Sequence, residues 1–258
     1  MSHCIDTIGC FVWYDYDSAD AEASREFYTS LLDWETRAWS PDWLEFTAGG
    51  VPLGGFRQLP EAAVLGGCPN AWLPYVGVKD IHATVEQVVV LGGKVHVAPR
   101  DIPDGGRFAV LQDPLGTFFA VRAGGLPLQP RPSMDTPGQV GWHELASSDM
   151  PAAWEFYSNV FPWKVSQDME LPPEMGGTYR LFHCCADNLG GMGGKPEGTP
   201  DHWLLYFRVP DLEASMAKAT ELGAAVLYGP MEVPGGDHVA GLRDPFGAVF
   251  ALVGPGSR

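Results

Sequence analysis

Two neighbouring residues, His143 and Glu144, are the side chains in this sequence best suited to proton transfer. They lie in the segment WHELASSD, which predicts a strand just before a helix. Burial next to Trp142 would raise the pKa of the Glu144 carboxyl, which is how proteins tune a general acid or base. In the alternative interpretation, Glu144 is a hydrogen-bonded structural carboxylate and His143 packs under the helices. The sequence leaves both interpretations open.

A metal site is a second hypothesis for the same region. His183 and His238 could join Glu144, since imidazole and carboxylate groups are common ligands of divalent cations. The spacing of these residues matches no known ligand pattern, and isolated histidines are more often structural. The metal site is therefore kept as an alternative.

The elements that must position these residues occur twice in the chain. Residues 105–121, GGRFAVLQDPLGTFFAV, and residues 236–252, GDHVAGLRDPFGAVFAL, share an apolar strand, an Asp-Pro-x-Gly turn and a second apolar strand. Asp113 and Asp244 are 131 residues apart, as are Gly116 and Gly247. Asp bonds its own backbone, Pro fixes φ and Gly accepts positive φ, so each copy predicts a hairpin. The fixed offset indicates a duplicated unit.

The rest of each half repeats as well. Each half opens with a strand followed by a helix, and the helix is capped by Asp20 in the first half and by Asp149 in the second. Each half later contains another strand and helix, and Asp80 and Asp211 cap these helices. The predicted fold class is α+β, with four βαβββ units, two in each half. The predicted domains are residues 1–124 and 139–258, joined by a Pro-rich linker at residues 125–138.

Composition limits the functional classes. Hydrophobic residues make up 45% of the 258 residues, enough for a core in each half, and no apolar run is long enough to span a membrane. The formal net charge of −16 argues against a nucleic acid or an anionic membrane as partner. The five cysteines lack CxxC spacing and are interpreted as reduced thiols. The N-terminus shows no signal-peptide pattern, so we expect a cytoplasmic protein.

Taken together, these motifs resemble the vicinal oxygen chelate superfamily, which includes glyoxalases, bleomycin-resistance proteins and extradiol dioxygenases. The resemblance covers almost the whole chain outside the linker. It implies tandem glyoxalase-like domains, in which βαβββ units pair into two cups that each enclose a small-molecule site. The resembling residues are Asp20, Phe27, Tyr28, Trp34 and the Asp-Pro-Leu-Gly of 113–116, with Asp149, Phe156, Tyr157, Trp163 and the Asp-Pro-Phe-Gly of 244–247.

The resemblance also implies where metal ligands would lie. In metal-dependent relatives one ligand is seven residues before the helix-capping Asp, and another is four residues after the Gly of Asp-Pro-x-Gly. These positions hold Trp13 and Ala120 in the first half, and Trp142 and Ala251 in the second. None of these side chains binds a divalent cation. We therefore expect no metal and no other cofactor.

Strand alternation then predicts the lining of the two cups. If Trp13 and Trp142 face inward, so do Asp15 and Glu144. Phe118 and Arg122 share the face of Ala120, and Arg107 and His238 occupy equivalent places on the preceding strand. The predicted ligand-binding residues are Trp13, Asp15, Arg107, Phe118, Arg122, Trp142 and His238, with Glu144 as the candidate catalytic residue.

The preferred functional prediction is a metal-free protein that binds a small aromatic or otherwise hydrophobic metabolite. The alternative is an enzyme with lyase, isomerase, hydroxylase-like or dioxygenase-like activity that uses Glu144 or an off-pattern divalent metal ion. A third possibility is that one half only completes the fold. The duplicated halves predict either a monomer that imitates a dimer or a homodimer.

Overall fold

The computed structural model describes residues 7–40, 43–103, 105–125, 133–172, 176–184 and 188–256. Its elements form four successive βαβββ modules. The first module contains β1 (Phe11–Ser18), α1 (Ala21–Leu32), β2 (Glu35–Ser40), β3 (Trp43–Ala48) and β4 (Val51–Gln58). After the short helix α2 (Glu61–Leu65), the second contains β5 (Ala71–Gly77), α3 (Ile81–Val90), β6 (Lys94–Asp101), β7 (Arg107–Gln112) and β8 (Phe118–Ala123).

The second half of the chain repeats this order. The third module contains β9 (Val140–Ser147), α4 (Met150–Val160), β10 (Lys164–Glu170), β11 (Thr178–His183) and β12 (Asn188–Gly194). The fourth contains β13 (His202–Arg208), α5 (Leu212–Glu221), β14 (Ala225–Glu232), β15 (Asp237–Arg243) and β16 (Val249–Pro255).

Two eight-stranded sheets result, one from each half of the chain. Their strand orders are β2-β3-β4-β1-β5-β8-β7-β6 and β10-β11-β12-β9-β13-β16-β15-β14. Within each module the first and last strands are parallel, as in β1 with β4 and β13 with β16, and the other neighbours are antiparallel. The predicted α+β fold with four βαβββ units is confirmed.

An aspartate begins each of the four long helices. Asp20, Asp80, Asp149 and Asp211 each accept a hydrogen bond from a backbone N–H of the first turn. This contact satisfies one of the donors that a helix N-terminus leaves unpaired and is favoured by the positive end of the helix dipole. The predicted caps are confirmed.

The two Asp-Pro-x-Gly turns also form as predicted. Asp113 Oδ1 accepts from the backbone N–H of Leu115 and of Thr117, at 2.9 and 2.8 Å, and Asp244 Oδ1 accepts two equivalent bonds. Gly116 and Gly247 have φ values of 102° and 99°, which only glycine adopts without strain. The turns join β7 to β8 and β15 to β16.

The chain also divides into two compact units, each drawn from both halves. Unit I contains residues 7–13, 74–125 and 143–203, and therefore most of the second and third modules. Unit II contains residues 14–73, 133–142 and 204–256, and therefore most of the first and fourth modules. The predicted domain boundaries at 124 and 139 stay a prediction, and part of the predicted linker, residues 126–132, lies outside the described residues.

Each unit has an aromatic core. In unit II, Trp34 stacks on Phe46 with ring centroids 4.1 Å apart, and Trp34 Nε1 donates to the Gly138 carbonyl at 2.9 Å. In unit I, Trp163 stacks on Phe182 at 4.5 Å, and its Nε1 donates to the Gly9 carbonyl at 2.6 Å. Stacked and edge-on rings bury large apolar areas, and the indole N–H groups find acceptors.

The structure also bears on the cysteines and on membrane-spanning helices. Cys10, Cys68 and Cys184 are thiols, whereas Cys4 and Cys185 lie outside the described residues. Within the described part of the chain, none of the helices has the length and apolar character required to cross a membrane.

Candidate functional site

The positions implied for metal ligands carry apolar side chains in both halves. Trp13, Ala120 and Ala251 are buried, and Trp142 is partly buried. Among the residues that the structure describes, no three His, Cys, Asp or Glu side chains come close enough to hold a metal ion. His183 and His238 therefore do not combine with Glu144 into such a group. The tryptophan and alanine side chains at the implied ligand positions do not fit a divalent cation.

In unit II, the partly buried Trp142 packs against a cluster of buried aromatic and aliphatic side chains. Two tyrosines extend it: Tyr206 Oη lies 3.0 Å from Tyr228 Oη, and the Tyr228 ring lies flat over Gly241, where a Cβ atom would be 2.1 Å from the ring. We call this group the Trp142 surface. Its members are Trp142, Leu204, Tyr206, Tyr228, Val233, Val239, Val249, Ala251 and Val253.

His238 is adjacent to this surface in sequence but lies on the other side of its strand. It immediately precedes Val239 on β15, and successive side chains of a strand point to opposite faces. Its ring packs against Gly256, where a Cβ atom would be 2.8 Å from Nδ1. The structure therefore does not bring His238 to Trp142.

In unit I, Trp13 contacts Arg122, another of the predicted ligand-binding residues. The Arg122 guanidinium carbon lies 5.3 Å from the centroid of the Trp13 ring, which is a cation–π contact. Both side chains are only 3% exposed. Asp15, two residues further along β1 and paired with Gly55 of β4, is 1% exposed.

Arg107 and Phe118 lie away from the Trp13–Arg122 pair. The guanidinium of Arg107 donates from Nη1 to His82 Nε2 of α3 at 2.7 Å, and it forms an ion pair with Asp101. Phe118, at the start of β8, is 45% exposed and contacts the His96 ring with centroids 4.6 Å apart. Alternation places Phe118 on the Arg122 face of β8, as predicted from the sequence, but at the opposite end of the strand.

Glu144 has a hydrogen-bond partner that sequence reasoning missed. Tyr179 of β11 donates from its hydroxyl to Glu144 Oε2 at 3.1 Å. The Tyr179 ring lies over the intervening strand β12, where a Cβ atom at Gly191 would be 2.3 Å from the ring. Gly191 is also paired with Glu144 across the strands. The Gly-Gly pairs in the sequence therefore allow an aromatic ring to lie flat on the sheet.

The same arrangement occurs in the first half, inside unit II. Trp43 of β3 lies over Gly55, where a Cβ atom would be 1.9 Å from the indole Nε1. Gly55 is paired with Asp15, just as Gly191 is paired with Glu144. The signal that could have revealed Tyr179 is its equivalence to Trp43, since each lies twelve residues before the second glycine of a Leu-Gly-Gly segment.

His143 does not form a pair with Glu144. Its side chain is buried, stacks on Phe11 with ring centroids 3.8 Å apart, and has Nδ1 2.6 Å from the Leu189 carbonyl oxygen, to which it donates. Neighbours on a strand face opposite sides of the sheet, so Glu144 points away from this ring. Glu144 itself is partly exposed. The proton-transfer candidates that the structure brings together are Glu144 and Tyr179.

Two buried carboxylates form a further pair of polar clusters. Asp244 Oδ2 accepts from the hydroxyls of Tyr16 and Tyr28, at 2.6 and 2.8 Å, and Asp113 Oδ2 accepts from Tyr157 at 3.1 Å. Burial raises the pKa of both carboxyl groups, although the hydrogen bonds oppose the shift. Burial likewise raises the pKa of Tyr16, and it raises those of Tyr28 and Tyr157 well above the usual phenol value. These clusters are enclosed and serve the fold.

Known proteins share this organisation. Residues 13–122 match the family described as "Glyoxalase-like domain", and residues 139–252 match "Glyoxalase/Bleomycin resistance protein/Dioxygenase superfamily". The chain is 32% identical to the "Putative glyoxylase CFP32" of Mycobacterium tuberculosis over 253 residues, which covers 94% of each protein. It is 31% identical to the "Anthracycline biosynthesis protein DnrV" of Streptomyces peucetius, with 95% of this chain and 93% of that protein covered.

Solved structures agree on the fold. The Mn(II)-bound glyoxalase from Novosphingobium aromaticivorans has a TM-score of 0.69 at 17% identity, with 96% of this chain and 82% of that chain covered. The 2,3-dioxygenase LapB from Pseudomonas sp. KL28 has a TM-score of 0.68 at 12% identity, with 98% and 94% covered. At such identities the likeness concerns the fold alone. With both halves matched, the chain belongs to the glyoxalase, bleomycin-resistance protein and dioxygenase superfamily, with two glyoxalase-like domains in tandem.

Proposed function

We propose that this protein binds a small, planar aromatic metabolite on the Trp142 surface without the help of a divalent metal. The observation that carries the proposal is the combination of a partly exposed Trp142 with Tyr206 and Tyr228 around an apolar floor. Flat aromatic side chains favour stacking with a flat ligand, and a few polar atoms among apolar groups fix its orientation.

Two further facts support this class of ligand. The relative from Streptomyces peucetius is named for anthracycline biosynthesis, and anthracyclines contain fused aromatic rings. The formal net charge of −16 disfavours an anionic ligand at long range, so the metabolite is expected to be neutral or cationic. Alanine at positions 120 and 251 leaves the metal-dependent chemistry of the superfamily without a ligand set.

Binding is tested with neutral 1,8-dihydroxyanthraquinone, titrated into the protein while tryptophan fluorescence is recorded, and repeated by equilibrium dialysis. We expect saturable binding that Trp142→Ala weakens by roughly 10- to 100-fold, since a buried aromatic contact contributes about 1.5–3 kcal/mol. Trp154→Ala is the matched control, because Trp154 of α4 is also partly buried but contacts Arg180 of β11. Equal affinity in wild type and Trp142→Ala would contradict the proposal.

A second candidate function is supported by the contact between Glu144 and Tyr179. The Glu144 carboxylate can accept a proton from a substrate, and the hydrogen bond from the Tyr179 hydroxyl holds that carboxylate in place and keeps it ionised before the transfer. Proton abstraction by Glu144 would make the protein a lyase or an isomerase that uses Glu144 as its base. The second proposal differs from the first in that it rests on Glu144 and Tyr179 of unit I and requires a reaction.

A further inference from the structure

We propose that unit I carries a separate ligand position, a cleft between α4 and the Asp-Pro-Leu-Gly turn that takes one neutral aromatic ring. The cleft has a volume of about 190 Å³. None of the residues that line it belongs to the Trp142 surface, so the inference does not depend on the proposed function.

Three elements of unit I form the cleft. Leu91, the C-cap residue of α3, Leu115 of the turn and Phe156 of α4 provide large apolar side chains. Phe156 is buried, and the two leucines are partly buried. Asp113 and Glu155 add two carboxyl groups to the lining. Apolar walls with a few polar groups favour a compact apolar ligand.

The sequence repeat supplies a matched comparison in unit II. In both units the proline of the turn packs against the glycine that follows a helix: a Cβ atom at Gly92 would be 3.8 Å from Pro114 Cγ, and one at Gly223 would be 3.3 Å from Pro245 Cγ. Eight residues line the cleft, and six of them have an identical counterpart in unit II. The counterparts lie 131 residues later for α3 and the turn, and 129 residues earlier for α4.

The two exceptions show what differs between the units. Ala153 corresponds to Ser24, whose hydroxyl lies 2.7 Å from Ser18 Oγ, so this side chain is engaged with β1. Leu115 corresponds to Phe246, which replaces an aliphatic side chain by an aromatic ring. The ring at position 246 is therefore the large difference between two otherwise similar sets of residues.

The Phe246 side chain indicates which ligand would fit the cleft. Its ring lies edge-on to the Phe27 ring, with centroids 6.4 Å apart and an angle of 89° between the planes. Phe27 is the counterpart of Phe156, which lines the cleft in unit I. A free aromatic molecule beside Phe156 would thus reproduce a contact that unit II makes with its own side chain, in the edge-on geometry that aromatic rings favour.

Size and charge define the ligand class further. At the packing density of protein interiors, a cleft of about 190 Å³ accommodates about 140 Å³ of molecular volume. Apolar cavities of about 150 Å³ bind benzene, so one ring with a small substituent suits this volume. The carboxyl groups of Asp113 and Glu155 disfavour an anionic molecule. Ala152 and Pro114 in the lining are exposed, which gives the ligand a route from solvent.

Fluorine NMR tests the inference on the full chain, with 4-fluorobenzyl alcohol as the neutral probe and 4-fluorobenzoate as its anionic analogue. We expect saturable binding of the alcohol, with the benzoate weaker by roughly tenfold or more. Leu115→Phe introduces the residue of unit II and should weaken binding of the alcohol by roughly tenfold or more, because the new ring occupies the cleft.

Several results would overturn the inference. They are the absence of saturable binding to the wild type, undiminished affinity in folded Leu115→Phe, and equal affinity for alcohol and benzoate. A probe that responds to Trp142→Ala but not to Leu115→Phe would be bound at the Trp142 surface, which would also overturn it. The proposed function is judged separately, by the titration with 1,8-dihydroxyanthraquinone.

The reciprocal variant tests whether Phe246 takes the place of a ligand. Phe246→Leu should open the equivalent cleft in unit II, so the alcohol should bind with one equivalent more per chain than in the wild type. Circular dichroism and a melting curve establish that each variant is folded. An unchanged stoichiometry in folded Phe246→Leu contradicts the role given to Phe246. If Phe246→Leu does not fold, the result with Leu115→Phe decides.

Discussion

Tyr28 donates a hydrogen bond from its hydroxyl to Asp244 Oδ2 at 2.8 Å, which joins the first helix of the chain to its last hairpin within unit II. Asp244 Oδ1 meanwhile holds the turn of that hairpin through two backbone N–H groups. One side chain thus fixes both a turn and a long-range contact. In unit I, Asp113 joins the second module to Tyr157 of the third in the same way, with one tyrosine instead of two.

This asymmetry predicts a difference in stability. Asp244→Ala leaves two hydroxyls and two backbone N–H groups without their acceptor, whereas Asp113→Ala leaves one hydroxyl and two N–H groups. Buried donors that lose an acceptor cost about 1–3 kcal/mol each, partly relieved by relaxation. We therefore expect losses of roughly 3–4 kcal/mol for Asp244→Ala and roughly 2 kcal/mol for Asp113→Ala in urea unfolding. The opposite order would refute this account.

The raised pKa of Asp244 predicts a pH dependence of stability. Burial is the largest cause of the shift, and it makes the folded protein retain the proton at a pH where the unfolded chain has lost it. The contribution to the free energy of unfolding is therefore fully present below the ordinary carboxyl pKa of about 4, and it is lost as pH rises through the raised pKa.

Asp244→Asn isolates this contribution, because asparagine does not titrate. Urea unfolding of wild type and variant at several pH values between 3.5 and 7 gives the difference in unfolding free energy. We expect this difference to shift in favour of the variant as pH increases. The contributions of all other carboxyl groups are the same in both proteins and cancel in the difference. A difference that is constant with pH, or that shifts in favour of the wild type, would show that the pKa is not raised.

Metal content provides the next prediction. The positions implied for metal ligands offer no carboxylate, imidazole or thiolate group, since they hold Trp13, Ala120, Trp142 and Ala251. We therefore expect no stoichiometric divalent metal in protein purified without an affinity tag. Mass spectrometry for metals, with a melting curve in the presence and absence of EDTA, is the measurement. Zinc, nickel, manganese or iron near one atom per chain, or a melting temperature lowered by EDTA, would contradict the metal-free proposal.

The sequence predicted the fold well because its signals are local and duplicated. The caps at Asp20 and Asp149 and the turns at Gly116 and Gly247 depend on residues within a few positions of each other. The tyrosine contacts of Asp244 could not be predicted, because Tyr16 is 228 residues away in the chain and no local pattern pairs them. The sequence therefore indicated the turn role of Asp244 and missed its long-range role.

The candidate site was predictable only in part for a similar reason. Alternation correctly separates residues by strand face, but it does not say which long side chain covers which ring. Arg107 and Arg122 looked equally able to line a site, yet one contacts His82 and the other lies over Trp13. The contact between Tyr179 and Glu144 could not be predicted from alternation, because it depends on the absence of a side chain at Gly191.

The contact between Tyr179 and Glu144 leads to the prediction that decides between binder and enzyme. If Glu144 is a base, Glu144→Gln keeps its size and removes the proton acceptor, and turnover of a substrate should fall by roughly 10²–10⁴ with little change in affinity. Tyr179→Phe should reduce turnover less, because it removes only a hydrogen bond to the carboxylate. Asp15→Asn is the matched control, since that carboxylate is enclosed, and it should leave turnover unchanged. If Glu144→Gln instead alters only the melting temperature, Glu144 is structural and the second candidate function is refuted.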